Sequence, residues 1–174
     1  MNKIKFIIPF FVVFLFFQLN GCDELNSIPL NIPYTYTFND KTGSDVTFDS
    51  DVRCLSSESD TYQEYQDKIQ SLTFVEAAYR TTYNSNPSVQ GNLSATIYNG
   101  QGQELAHVQI NNVKPEDYKT HPWVLPINQT EIQAINNLLK NSTCLRVVVG
   151  ITSMNGTTTI SGAVDVVFRA DTNI

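Results

Sequence analysis

Few residues in this chain are able to do chemistry. His107 and His121 are its only imidazoles, and Cys22, Cys54 and Cys144 its only thiols. Nucleophilic hydrolysis sets a serine or cysteine against a base, commonly on a Gly-x-Ser-x-Gly turn, and no such pentapeptide occurs. His107 stands out of phase with Ala106, Val108 and Ile110, which predicts a solvent-facing strand position. His121-Pro122-Trp123 falls in a proline-rich loop. Zinc favours closely spaced Cys and His, a spacing absent here. Asp40, Asp45, Asp49 and Asp51 supply the oxygens that calcium prefers, but not its twelve-residue loop pattern, and Asp49 and Asp51 are expected to share the wet face of a strand. Glycoside hydrolysis needs two carboxylates in unlike environments, and no pair stands apart among the seventeen acidic residues. No glycine-rich phosphate loop is present. The expectation is no catalytic residue, no metal and no cofactor; the chain does not read as an enzyme.

Binding chemistry is better represented. Trp123, with Tyr118 and Tyr98 as expected neighbours, is a candidate surface for stacking on a sugar or a peptide; the alternative is that these rings close the core. Cys54 and Cys144 are a candidate disulfide, worth about 4–5 kcal/mol for so long a loop in the chain-entropy model. The alternative is two buried thiols, which the less apolar register of Cys144 favours. Asn92, Asn128, Asn141 and Asn155 each begin an Asn-x-Ser/Thr sequon, expected to stay bare in a bacterial protein.

The N-terminus carries an address. Lys3 and Lys5 precede an apolar run from Phe6 to Leu19, interrupted by Pro9 and Gln18. A bilayer-spanning helix needs about 20 apolar residues, whereas a signal-peptide core has about 7–15, so residues 1–21 are expected to be a signal peptide. Leu19-Asn20-Gly21-Cys22 resembles the lipobox of bacterial lipoproteins. The resemblance implies a diacylglyceryl thioether on Cys22, cleavage before it, and acylation of the freed amino group. Two or three chains anchor stably where one does not. The alternative is an ordinary signal peptide ending near a cysteine destined for a disulfide. The expected location is the bacterial cell envelope, held by lipid, with the outer membrane the leading assignment. Asp23 and Glu24 resemble sorting signals whose meaning differs between bacterial groups, so the leaflet stays open.

Charge narrows the partners. The chain carries −6, and losing Lys3 and Lys5 with the leader takes this to −8. That argues against nucleic acid and against an electrostatic grip on anionic lipid; membrane contact is expected through the anchor alone, leaving an envelope protein or a glycan as partner.

The elements follow from period and punctuation. Residues 22–33, with Pro29 and Pro33, are expected to be an irregular tether, and residues 34–174 a single domain. Tyr34 to Phe38 and the alternating run Val46, Phe48, Val52, Cys54 suggest a hairpin. Ser56 to Gln70 reads as a long connection pinned by Tyr62, Tyr65 and Ile69. Ser71 to Tyr83 is a long strand whose apolar phase shifts near Phe74-Val75, the mark of a bulge. Leu93, Ala95 and Ile97 pair with Ala106, Val108 and Ile110 across Asn99-Gly100-Gln101-Gly102. Trp123-Val124-Leu125 is a short edge strand. Thr130 to Lys140 is a helix with Thr130 and Gln133 as its capping pair. Leu145, Val147, Val149 and Ile151, then Ile160, Val164, Val166 and Phe168, are inward faces of two strands expected to form a hairpin around Met154-Asn155-Gly156.

Seven or eight strands with one short helix predict an all-β antiparallel sandwich of immunoglobulin-like type. The order of the lipobox, of Tyr65-Gln66-Asp67-Lys68-Ile69-Gln70-Ser71-Leu72 and of Leu125-Pro126-Ile127 before Thr130-Glu131-Ile132 resembles uncharacterised β-sandwich lipoproteins of Gram-negative bacteria. The arrangement is also similar to water-stress-type (late embryogenesis abundant) domains. These resemblances imply a fold and an address, and carry no catalytic signature.

Overall fold

Period-2 alternation dominates the chain, and a computed structural model shows what it builds. The structure describes residues 27–173; Cys22, the leader and residues 23–26 lie outside the described residues. Eight strands, β1 (Ser27–Gly43), β2 (Val46–Cys54), β3 (Ile69–Asn84), β4 (Gly91–Asn99), β5 (Glu104–Val113), β6 (Trp123–Val124), β7 (Cys144–Thr152) and β8 (Thr158–Asn173), form two four-stranded sheets. The orders are β1-β8-β3-β6 and β2-β7-β4-β5, every pairing antiparallel. The antiparallel sandwich is as expected. Within it the connectivity is that of an eight-stranded jelly roll of two Greek keys, where the sequence suggested an immunoglobulin-like order.

Two expected hairpins are accordingly absent. β1 pairs with β8 and β2 with β7, so Ser44-Asp45 carries the chain from one sheet to the other. The turn at Met154-Asn155-Gly156 does the same between β7 and β8. Both crossings are clamped: Asp45 Oδ1 accepts from Ser153 N at 2.6 Å, and Asn155 Oδ1 from Gln90 N at 2.9 Å. The expected β4–β5 hairpin is present in the anticipated register, Leu93 opposite Ile110, Ala95 opposite Val108 and Ile97 opposite Ala106.

The alternating positions meet between the sheets. Ile32, Tyr36 and Phe38 of β1, Leu145, Val147, Val149 and Ile151 of β7, and Ile160, Val164, Val166 and Phe168 of β8 are all buried. In β3 the register shifts between Phe74 and Glu76, leaving Val75 exposed and returning Ala77 and Tyr79 to the core. That is the anticipated bulge. Trp123-Val124 pairs with Tyr79-Ala78 as the short edge.

Residues 27–33, expected to be tether, are strand. Ser27 lies opposite Asn173 and Pro33 opposite Val167, with Ile32 fully buried between. β1 is an edge strand, the place where a sheet tolerates proline. The polar connection after β2 is also ordered: α1 (Leu55–Glu58), α2 (Asp60–Tyr65) and a 3-10 turn (Gln66–Lys68) pack Leu55 and Tyr62 against the core and lead into Ile69 at the start of β3. These short helices add to the single helix expected. That helix, α3 (Gln129–Leu139), buries Ile135 and Leu139, but its capping pair is Asn128 with Glu131, not Thr130 with Gln133.

Candidate functional site

β2 begins as expected, with Val46 and Phe48 inward, and then departs. Asp51 sits at φ 57° and the pairing slips between Asp49 and Val52. Ser50 keeps the inward phase of Val46 and Phe48, and the bulge after it sets Val52 and Cys54 on the outer side, reversing the phase expected of those two. Ser50 Oγ accepts from the buried Val147 N at 2.8 Å and donates to Asp51 O, also at 2.8 Å. Cys54 thereby comes opposite Cys144, and the two are joined as a disulfide, their Cα atoms 3.9 Å apart. Cys144 does occupy the less apolar face. That face favours the bond, since the bulge brings Cys54 to the same side.

The disulfide closes one end of a recess at the end of the sandwich where β3 begins. Leu72 and Leu139 are buried there, with Tyr62 and Ile69 partly buried against them. Gln70, Ser71, Thr73, Asn136 and Lys140 complete a groove of about 560 Å³. A second hollow of about 420 Å³ shares Tyr62, Leu139 and Lys140 and extends to Thr143 and Cys144. Asn136 holds α3 to β3 by accepting from Phe74 N at 2.7 Å, and Lys140 Nζ donates to Asn137 Oδ1 at 3.0 Å. An apolar floor under a polar rim suits a small molecule with one greasy side. In the sequence, only the anchoring positions of Tyr62 and Ile69 and the apolar face of α3 hinted at it.

Of the three predicted aromatic contacts, two come together. Tyr118, in the 3-10 turn Pro115–Lys119, lies 6.4 Å from Trp123 and 6.4 Å from Tyr79, centroid to centroid. Tyr118 and Trp123 are both partly buried against the core. Burial holds the Tyr118 hydroxyl above the usual phenol range, and pushes the fully buried Tyr79 up to about 12. Tyr98 belongs elsewhere. It lies on the other sheet, with the Arg146 guanidinium 5.2 Å from its ring centroid. Arg146 is held by Asp49 through both carboxylate oxygens, one at 2.8 Å from Nε. This pairing depresses the Asp49 carboxyl below its ordinary value.

The remaining polar candidates are spent on structure. His107 is exposed, its Nδ1 2.9 Å from Thr96 Oγ1, while its backbone N donates to Glu131 Oε1 at 3.1 Å. His121 is also exposed and meets Thr120 Oγ1 at 2.9 Å. Glu58 accepts from Tyr34 Oη at 2.5 Å and faces Arg53 at 3.5 Å. Burial first, and then Glu58, raise the Tyr34 hydroxyl. Three sequon asparagines serve the backbone: Asn92 accepts from Asn112 N, Asn128 caps α3 and Asn155 accepts from Gln90 N. Among the described residues no group of three or more His, Cys, Asp or Glu is arranged to hold a metal ion, and no helix is long and apolar enough to cross a membrane.

No protein-family profile matches the chain, and no curated protein matches it. Solved structures similar to it include a chain from Desmodium yellow mottle tymovirus, at 8% identity and TM-score 0.44, covering 85% of this chain and 89% of that one. A turnip yellow mosaic virus chain has 8% identity and TM-score 0.43, with 85% and 82% covered. A chain from T=1 particles derived from infectious bursal virus has 14% identity and TM-score 0.38, with 85% of this chain and 36% of that one covered.

Proposed function

We propose that this chain is a lipid-anchored cell-envelope protein of the bacterial outer membrane, whose β-sandwich is a structural or protein-interaction module and not an enzyme. The observation that carries the reading is the N-terminal sequence, a short apolar run ending in Leu19-Asn20-Gly21-Cys22. The Cys54–Cys144 bond supports it, because disulfides persist in oxidising compartments outside the cytoplasm. The acidic balance supports a protein partner over nucleic acid.

The deciding experiment is the intact mass of the mature protein from a bacterial host, before and after reduction and alkylation. A chain starting at Cys22 and carrying acyl mass is expected, with two thiols appearing only on reduction. A start elsewhere without lipid overturns the anchor.

A second reading, recognition of a sugar or a peptide, is favoured by the Tyr118–Trp123 pair beside the exposed Val124 on the edge strand. Trp123 is the sole tryptophan. Its emission is expected to shift on binding, and a flat response across a glycan array and a peptide library would remove this reading.

A further inference from the structure

We infer that the Ser27–Asn173 end of the sandwich is its membrane-facing end, held close to the bilayer, and that the opposite end, with residues 85–90, stands away from it. The inference rests on the lipid-anchor reading of Cys22 and adds a geometry to it. Because β1 begins at Ser27, only residues 23–26 separate it from Cys22. Five Cα steps at about 3.4 Å reach at most about 17 Å. The stalk that residues 22–33 were expected to provide is largely consumed by the sheet.

The strands fix what lies at each end. Ser27 is opposite Asn173, Ile28 opposite Thr172, and Thr172 also opposite Ile69. The first residues of β3, the 3-10 turn with Lys68 and the groove along Ile69 and Leu72 therefore crowd toward the anchored end. Gly43 lies opposite Thr158 and Asn84 opposite Ile160, which puts the loop of residues 85–90 at the far end. β1 spans 17 residues, and at about 3.3 Å per residue its ends are roughly 50 Å apart. That is about three times the reach of the linker.

The surface at the anchored end fits an interface with headgroups that the lipid holds and charge does not. Ile28 is 54% exposed, an apolar side chain at the lip of the sheet. The neighbouring cap places Asp60, Glu64 and Asp67 beside Lys68, all exposed, so anionic lipid gains nothing from it. An acidic domain tethered at one tip stands off an anionic bilayer instead of lying along it.

The test uses full-length lipidated protein in vesicles of phosphatidylcholine and phosphatidylglycerol bearing a headgroup energy acceptor. A fluorescent amino acid is encoded at the exposed Lys68 or at Ser88, which leaves the native cysteines alone. The expected result is loss of most donor emission at position 68 and its retention at position 88. Inserting thirty Gly/Ser residues between Glu24 and Leu25, with a mean span of about 30 Å, is expected to erase the difference. Equal transfer from both positions, or stronger transfer from position 88, overturns the inference while an acylated Cys22 in the mass spectrum keeps the anchor. Attachment that survives Cys22→Ala overturns the anchor, and this geometry with it.

Discussion

At the scale of single residues, the structure turns on a serine on the inward face of β2, at the point where the alternation breaks. Ser50 is buried just before the Asp51 bulge, and its hydroxyl is the partner of the buried Val147 N–H. Ser50→Ala leaves that donor unpaired, and a loss of about 1–3 kcal/mol is expected, read as a lower midpoint in urea unfolding with an unchanged slope. Asp49, one residue away, gives a pH signature. Its folded carboxyl is depressed, chiefly by the hydrogen bonds from Arg146. The stabilisation is therefore present above the unfolded carboxylate value of about 3.9 and disappears as pH falls through the lower folded one. Asp49→Asn is expected to lower the thermal midpoint modestly at pH 7, and the gap between variant and parent should close as acidification protonates the folded carboxyl. A gap that stays constant with pH would mean the side chain acts through packing alone. No period-2 reading finds this bulge, since aspartate tolerates the left-handed conformation without the glycine that would announce it.

The elements show where sequence stops being informative. Strand faces were legible because burial imposes a strict period, and the β4–β5 pairing was legible because its turn chemistry lies between two clean alternations. The turns at Ser44-Asp45 and Met154-Asn155-Gly156 have the same composition as hairpin turns but send the chain to the opposite sheet. Local residues specify a reversal and are silent about which sheet receives it. The same limit hid the groove, whose walls are residues 62–73 and 136–144 brought together by the jelly-roll crossing. Tyr118 and Trp123 were close enough in sequence to be grouped correctly, whereas Tyr98 joined them on composition alone. The disulfide pins the end of β2 to β7 over a separation of 90 residues. Reduction, or Cys54→Ser with Cys144→Ser, is expected to cost up to about 4–5 kcal/mol by chain entropy. Denaturant unfolding with and without reductant measures it. An unchanged midpoint would mean the packed sheets already restrain the loop.

For the whole molecule, the decisive correction is the role of residues 27–33. A tether is dispensable for folding; a strand paired with β8 is not. A chain beginning at Tyr34 uncovers the paired half of β8 from Val167 to Asn173 and leaves Leu30 and Ile32 missing from the core. Such a truncation is expected to aggregate or to melt well below the chain beginning at Cys22, whereas a start at Ser27 should melt like the longer chain. Differential scanning calorimetry of the three, expressed without lipid, separates the two roles. Equal stability of the Tyr34 and Ser27 starts would return this segment to the tether.

The pairing of β1 with β8 also sets a clock. Tyr36 must wait for Val164, and with synthesis running at about 5–20 residues per second, the first strand emerges roughly ten seconds before its neighbour exists. β2 likewise waits for β7. A nascent chain of this topology has no early half that can close by itself, apart from the β4–β5 hairpin. It stays threadable until its last residues are made, the condition under which an extended polypeptide passes through a narrow pore.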